Sequence, residues 1–328
     1  MSMQLPKPSR PQAAQSSQYK IKNWKEYNQA LRQRGSLEIW LDKAMEQQWR
    51  YSGPSQQGAQ YQYSDRCIEM AAVLRSVYHL KYRQLQGFLE SVVRQLGWSV
   101  PVPDYSVINR RTRRLNIAIQ IKPHKKGEKL YIVMDSTGLK VYGEGEWKVR
   151  QHGWGKHRTW QKLHVAVDES TGIIESCIMT TNGVDDAAMV EPLLNDIKAK
   201  VDKMAGDGAY DKTKVYEVLD KRKVKAIIPP RKNARIKQHG NKKGKPLTRD
   251  KNIRGVRKHG RKKWKQKVKY HRRSLAETTM YRYKTIFGGH LSARTIEHQS
   301  VEVRIKCKIL NKMTELGKPE SYKMKNAA

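Results

Sequence analysis

Residues 130–135 read Leu130-Tyr131-Ile132-Val133-Met134-Asp135, a short apolar run that ends on a carboxylate. A run this short fits a buried strand. Downstream, residues 162–167 alternate apolar and polar and end at Asp168; a turn at 170–172 leads into an apolar stretch at 173–180, which predicts an antiparallel hairpin. Residues 186–198 carry a helical pattern. A short strand at 203–205 leads into Gly206-Asp207-Gly208, followed by a helix over 211–222 and a strand at 226–228 stopped by Pro229 and Pro230. A last helix begins at about Tyr270. Strands and helices in this order predict an α/β fold built on a mixed sheet.

Upstream the pattern is helical. Residues 1–18 are rich in Pro, Gln and Ser and read as a disordered tail. Residues 19–120 form a helical region. Within residues 20–49, Trp24, Tyr27, Leu31, Ile39, Trp40 and Leu41 are candidate buried positions. Three short helices follow, over 65–78, over 82–95 and after a cap at Ser106, and the third carries Arg110, Arg111, Arg113 and Arg114. That pattern suits a helix-turn-helix DNA-binding unit, and equally a helical bundle with a solvated basic face. The α/β region is expected over 121–290 and a C-terminal helical segment over 291–328.

The chain holds 67 Lys+Arg against 30 Asp+Glu, a formal charge of +37. Charge of this size repels itself unless a polyanion offsets it, and nucleic acid does so by releasing counterions. An anionic membrane fits poorly, because the basic residues run along the whole chain and no apolar stretch approaches a membrane span. Residues 231–268 alone hold 17 Lys/Arg and one acid, Asp250; this basic insertion reads as a flexible arm that orders on DNA, or as a plain solvated loop. Cys67, Cys177 and Cys307 form no CxxC pair, which argues against a disulfide framework and for a soluble protein in a reducing, intracellular compartment.

Asp135 after a strand, Asp207 at a strand-to-turn junction and Glu277 on the last helix are each unremarkable alone. With about 100° per residue, Tyr270, Arg273, Glu277 and Lys284 fall within an arc of roughly 60°, opposite Leu275, Ala276, Tyr283, Ile286 and Phe287. Arg272 falls on the apolar side unless the helix starts after it. The same arc also describes a solvated face with an Arg273–Glu277 pair worth a few tenths of a kcal/mol.

The spacing Tyr270-x2-Arg273-x3-Glu277-x6-Lys284 resembles the Tyr-Arg-Glu-Lys signature of bacterial insertion-sequence transposases of the DDE type. Asp135 in Ile132-Val-Met-Asp-Ser-Thr-Gly138 and Asp207 in Gly206-Asp-Gly-Ala-Tyr-Asp211 are similar to the family's two Asp blocks. So are the segment starting Ile227-Ile-Pro-Pro-Arg-Lys-Asn-Ala234 and the stretches Trp24-Lys-Glu-Tyr-Asn28 and Arg34-Gly-Ser-Leu-Glu-Ile-Trp40. The resemblance implies an RNase H-like core in which Asp135, Asp207 and Glu277 hold Mg²⁺ or Mn²⁺, two ions in all. Hard carboxylate oxygens suit such ions, and a pair of them stabilises the attacking and leaving oxygens of an in-line displacement. It further implies that Tyr270, Arg273 and Lys284 grip double-stranded DNA at the element ends, that target DNA is the second substrate, that the protein pairs with itself in a synaptic complex, and that it works at the nucleoid in the bacterial cytoplasm.

Other residues admit several readings. His152, His157 and His164 lack the spacing of a zinc site, which favours a DNA-facing or packed role. Asp168, Asp185 and Asp186 read as turn and capping residues or as further carboxylates near the site. Trp154 and Trp160 suit stacking on an unpaired base or core packing. Two competing functions share most of these features: an RNase H-like nuclease that cuts without joining, and a DNA-binding protein derived from a transposase. The intact acid set argues against the second.

Overall fold

The computed structural model describes residues 19–324 apart from 56, 59, 121–122, 126, 142–159 and 239–246. The predicted tail, together with His152, Trp154 and His157, lies outside the described residues. The chain opens with β1 (Tyr19–Ile21), α1 (Trp24–Gln33) and α2 (Leu37–Trp40). Helical periodicity here is a poor guide to burial. Trp24 and Leu31 are 56% and 37% exposed, and α1 meets the body through Ala30, so close to Gly317 that a Cβ there would lie 2.8 Å from the Ala30 methyl. The three helices that follow are α3 (Asp65–Val77), α4 (Tyr82–Gln95) and α5 (Tyr105–Thr112), packed through Leu74, Leu85, Leu89 and Ile108. The cap of α5 is Asp104, whose carboxylate accepts from the Ser106 amide at 2.8 Å; Ser106 itself, expected to cap, is inside the helix.

The sheet comprises β2 (Lys129–Val141), β3 (Trp160–Asp168), β4 (Ile174–Thr181), β5 (Lys200–Ala205), β6 (Lys225–Ile227) and the short β7 (His290–Leu291). Its order is β4-β3-β2-β5-β6, with β7 against the end of β2. The β2-β3-β4 meander is antiparallel, whereas β5 runs parallel to β2 and β6 parallel to β5. This is the mixed sheet expected of an RNase H-like core.

Alternation along β2 divides the core. Ile132 and Met134 face one way, with Met204, into a cluster closed by α6 (Val190–Asp196) and α7 (Thr213–Lys221). Val133 faces the other way, with Ala205, into the larger cluster that holds Ala276, Met280 and Tyr283 of α9 (Ser274–Phe287) and Ile305 and Ile309 of α10 (Ile296–Leu316). Each such aliphatic side chain contributes about 1.5–3 kcal/mol on burial, so slipping β2 by one residue would cost the sheet both clusters. The helix α10 (Ile296–Leu316) ends well short of the predicted helical segment, and the chain returns as β8 (Ser321–Lys323), antiparallel to β1. Asn311 on α10 donates to the carbonyls of Ile119 and Ile174 and accepts from the Ile174 amide, which sews the helical region to the sheet.

The basic segment departs most from its sequence reading. Among its described residues, Thr248–Lys267 form α8, broken at Gly260 (φ 75°, ψ 154°), where a flexible arm was expected. The break folds the chain so that Trp264 lies on Gly255, where a Cβ would come within 2.9 Å of the indole. Ile253 and Trp264 are buried. Two buried carboxylates anchor the segment. Asp211 takes Arg249 at 2.8 Å and the Arg231 amide at 2.9 Å; Asp250 takes the amides of Lys237 and Gln238. Two apolar anchors and two buried ion contacts thus hold down a stretch whose composition alone suggests no fold. Next comes a 3₁₀ turn over Tyr270–Arg273, and only then α9 (Ser274–Phe287). Arg272 therefore precedes the helix and pairs with Glu169 at 2.9 Å, which removes its conflict with the apolar face. Cys67, Cys177 and Cys307 are buried and free. Among the described residues no helix is long and apolar enough to cross a membrane.

Candidate active site

Val133 of β2 stands opposite Ala205 of β5 in the parallel ladder. Asp135 and Asp207 each follow two residues later. The period of two sets Asp135 on the Val133 face, the one α9 covers. The turn after β5 fixes Asp207: its Oδ1 accepts from the Ala209 amide at 2.8 Å and caps the 3₁₀ turn Gly208–Tyr210. Gly206 is needed because a Cβ would sit 2.7 Å from the Tyr210 ring. Meanwhile Ala276, Met280, Tyr283 and Phe287, spaced four, three and four residues apart, bury one side of α9. Glu277 sits in the first turn of the other side, exposed, and Lys284 is exposed two turns on, about 10 Å along the axis.

Arg273 links the acids. Its guanidinium donates to Asp135 Oδ2 at 3.2 Å and to Glu277 Oε1, and it lies 6.0 Å from the centroid of the Tyr270 ring. Asp135 is raised from the ordinary Asp range, first by burial; the Ser136 amide and Arg273 lower it in part, and Asp207 and Glu277 raise it again. On Arg273, burial works to lower the pKa, but Tyr270, Asp135, Glu277 and Asp207 outweigh it and leave the group raised. Three carboxylates from a strand, a turn and a helix therefore feel one another, and a guanidinium sits between two of them.

Tyr210 is a residue that periodicity did not single out. It is buried, its hydroxyl has no hydrogen-bond partner, and burial followed by Asp186, Asp135 and Asp207 drives its pKa up. The signal was its place in Gly206-Asp-Gly-Ala-Tyr210. Tyr270 also belongs to the cluster, since Asp207, Asp135 and Glu277 all act on its hydroxyl, but its ring is 8% exposed and packs on Trp264. Tyr270 is thus a wall of the site, not the exposed DNA contact that its helical angle suggests, because the 3₁₀ turn rotates it inward.

Arg110 on α5 and Arg113 and Arg114 just after it are exposed. Arg111 is not a DNA contact. It is 8% exposed, donates to the Tyr63 carbonyl and to Asp65 at 2.6 Å, and lies 4.1 Å from the centroid of the Tyr61 ring. His164 is packed and bonded to Thr180 at 2.8 Å. Asp168 closes the β3-β4 turn on Thr171 and Ser170; Asp185 pairs with Lys212; Asp186 pairs with Lys162 at 3.0 Å beside Tyr210.

The donor set is all hard oxygen, the chemistry that Mg²⁺ and Mn²⁺ prefer. Among the described residues no three such side chains are yet drawn close enough to hold an ion. Arg273 holds the Asp135 and Glu277 carboxylates as their counter-ion.

A family model described as "Transposase DDE domain" matches residues 126–312, more than half of the chain, from just before β2 to near the end of α10. The chain belongs to the DDE transposase family. A second model of the same description matches residues 32–144. The match over 126–312 spans Asp135, Asp207 and Glu277 as well as the basic segment. Two solved structures are similar at 11% identity. One is a cryo-EM structure of the piggyBac transposase synaptic complex with hairpin DNA, with a TM-score of 0.35, over 90% of this chain and 76% of that one. The other is the Drosophila P element transposase strand transfer complex, with a TM-score of 0.30, over 77% of this chain and 65% of that one. The protein is a transposase, and an enzyme of the DDE type.

Proposed function

We propose that this transposase cuts DNA at the ends of its own insertion sequence and joins the freed ends to target DNA, with Asp135, Asp207 and Glu277 as its metal-holding acids. The observation that carries the reading is the convergence of these three carboxylates on one side of the sheet, with Arg273 as counter-ion to Asp135 and Glu277. The Tyr270-Arg273-Glu277-Lys284 spacing supports the bacterial insertion-sequence branch of the family, and with it a cytoplasmic, nucleoid-associated site of action.

Two divalent ions, Mg²⁺ or Mn²⁺, would supply charge stabilisation for the attacking and leaving oxygens. The chain's own residues do the rest. Asp135 and Asp207 are rigid, fixed by a strand and a capped turn, while Glu277 comes from an exposed helix face and can adjust. In the first reaction a water oxygen bonds to phosphorus as the bond from phosphorus to the 3′ oxygen breaks, leaving a 3′-hydroxyl. In the second, that hydroxyl oxygen attacks a target phosphodiester and the target's own 3′ oxygen leaves. Lys284, about 10 Å from Glu277 along α9, would hold a phosphate one or two nucleotides from the cut as a point charge. Work on two ends at once requires a second copy of the chain.

The test is a labelled element-end duplex with purified protein and Mg²⁺, scored for both cleaved and joined product. Alanine at Asp135, Asp207 or Glu277 should abolish both products and leave DNA binding in place. Near-normal turnover in any one variant removes that residue from the site. Cleavage with no joined product under any condition would instead mark a nuclease.

A further inference from the structure

A second positively charged site lies away from the acids. A cleft of about 660 Å³ opens between the helical region and the start of α10, lined by Arg75 of α3, Tyr82 of α4, Arg110 of α5 and Arg113 at its C-terminal end, Arg294 of the loop after β7, and His298. Among the described residues no carboxylate pairs with any of the four arginines. The lining's own carboxylate, Glu302, is already engaged: it takes the Ser292 and Ala293 amides and Lys306 Nζ at 2.7 Å. Arg75 is held rigid, with its guanidinium 4.3 Å from the centroid of the Tyr82 ring, and its buried Nε has no hydrogen-bond partner. The Tyr82 hydroxyl meets His298 Nε2 at 3.2 Å. Burial lowers the pKa of His298; Glu302 works to raise it, and Arg75 and Arg113 both lower it, so the imidazole lies within reach of both arginines. The N-terminus of the 21-residue helix α10 opens at the same rim and adds its partial positive charge.

Four unpaired guanidiniums on three separate elements repel one another and await an anion. They are too spread out for one small ion, and a guanidinium's forked donors match phosphate oxygens. We propose that this cleft binds successive backbone phosphates of duplex DNA, at a site distinct from the acid cluster. The claim rests on the reading that DNA ends react at Asp135. β7 pairs with Lys140 and Val141, five and six residues beyond Asp135, so the loop that carries Arg294 starts roughly 17 Å away at 3.3 Å per strand residue. At 3.4 Å per nucleotide that is about five or six base pairs, half a turn of DNA inward from the reacting end. A duplex held there would bridge the helical region and the sheet and fix the angle at which its end enters the acid site.

The test uses the full chain and a mixed-sequence duplex of about three turns, 30 base pairs, with affinity measured across a salt series. Arg75→Gln with Arg294→Gln should flatten the slope of log affinity against log salt by about 1.8, or 0.9 per lost phosphate contact. Arg294→Gln alone, on an exposed loop that cannot unfold the core, should flatten it by about 0.9. Arg294→Lys should restore it. An unchanged slope in the Arg294→Gln protein overturns the assignment while leaving the acid site untouched. If the slope is unchanged and inorganic phosphate raises the melting temperature of wild type but not of the double variant, the cleft takes a small anion and the DNA assignment falls. If wild type itself binds duplex with no salt dependence, the proposed DNA substrate fails first.

Discussion

Removing Arg273 separates two roles that are easily confused, phosphate clamp and counter-ion of the acids. The guanidinium sits 3.2 Å from a largely buried Asp135. At that distance an effective dielectric of 20 gives about 5 kcal/mol of gross attraction. Desolvation of both groups reduces the net to that of one charge-assisted hydrogen bond, about 1.5–3 kcal/mol. A divalent cation entering between Asp135 and Glu277 must first break that contact. Arg273→Ala should therefore tighten Mn²⁺ binding to the DNA-free protein by about tenfold to a hundredfold, since each factor of ten is 1.4 kcal/mol. Without metal, the same variant leaves Asp135 facing Asp207 and Glu277 uncompensated and should melt a few degrees lower, with Mn²⁺ restoring the loss. Isothermal titration calorimetry of Mn²⁺ into wild type and variant reads the first effect. Mn²⁺ binding that is unchanged or weaker in Arg273→Ala would refute the counter-ion argument and make the arginine a support for the metal ligands instead.

Lys284→Ala should slow cleavage by about tenfold to a hundredfold, through loss of about 1.5–3 kcal/mol of charge-assisted phosphate contact, with no change in the Mn²⁺ concentration required; an unchanged rate at physiological salt would leave Lys284 merely solvated. Arg111→Ala should lower stability in urea by at least about 1.5 kcal/mol, because it orphans the buried Tyr63 carbonyl and the Asp65 contact, whereas Arg113→Ala should stay within about 0.5 kcal/mol. Equal losses in the two would mean that Arg111 is no more structural than its exposed neighbour. Glu302 sets an acid limit on stability. Burial works to raise its pKa, but Lys306 and the Ser292 and Ala293 amides overcome this and hold it below the ordinary Glu range. A depressed carboxylate stabilises the fold above its unfolded pKa of about 4.3 and loses that contribution as pH falls through the lower folded value. Glu302→Gln should thus cost about 3 kcal/mol at neutral pH by leaving Lys306 buried and unpaired. That gap should close only below the ordinary Glu range, and a gap independent of pH down to acid unfolding would contradict it.

Local patterning was enough for the sheet and for two of the candidate site positions. The apolar run into Asp135 and the turn at Asp207 each lie within a few residues of the signal that marks them, so period and turn chemistry reach them. The buried set Ala276, Tyr283 and Phe287 likewise follows from helical spacing. What escaped depends on partners far along the chain. The basic segment folds because Asp211 reaches Arg249, 38 residues on, and because Trp264 returns onto Gly255 around the Gly260 break. Composition counts its charges and misses those anchors. Arg111 looks like its neighbours until Tyr61, Tyr63 and Asp65 close over it. Tyr270 shares an arc with Glu277 only if one helix runs through both, and the 3₁₀ turn before Ser274 breaks that arc. Tyr210 carries no periodic signal, since its importance lies in a hydroxyl with no partner beside three carboxylates.

Asp135, Asp207 and Glu277 are proposed to hold the catalytic metal. Crystals of the transposase with element-end DNA and Mn²⁺, measured at the manganese absorption edge, test it most directly. Anomalous peaks ligated by oxygens of all three carboxylates are expected, with the Arg273 guanidinium drawn away from Asp135 toward DNA phosphate. Manganese bound elsewhere, with the Arg273–Asp135 pair intact and the DNA end seated, would contradict it.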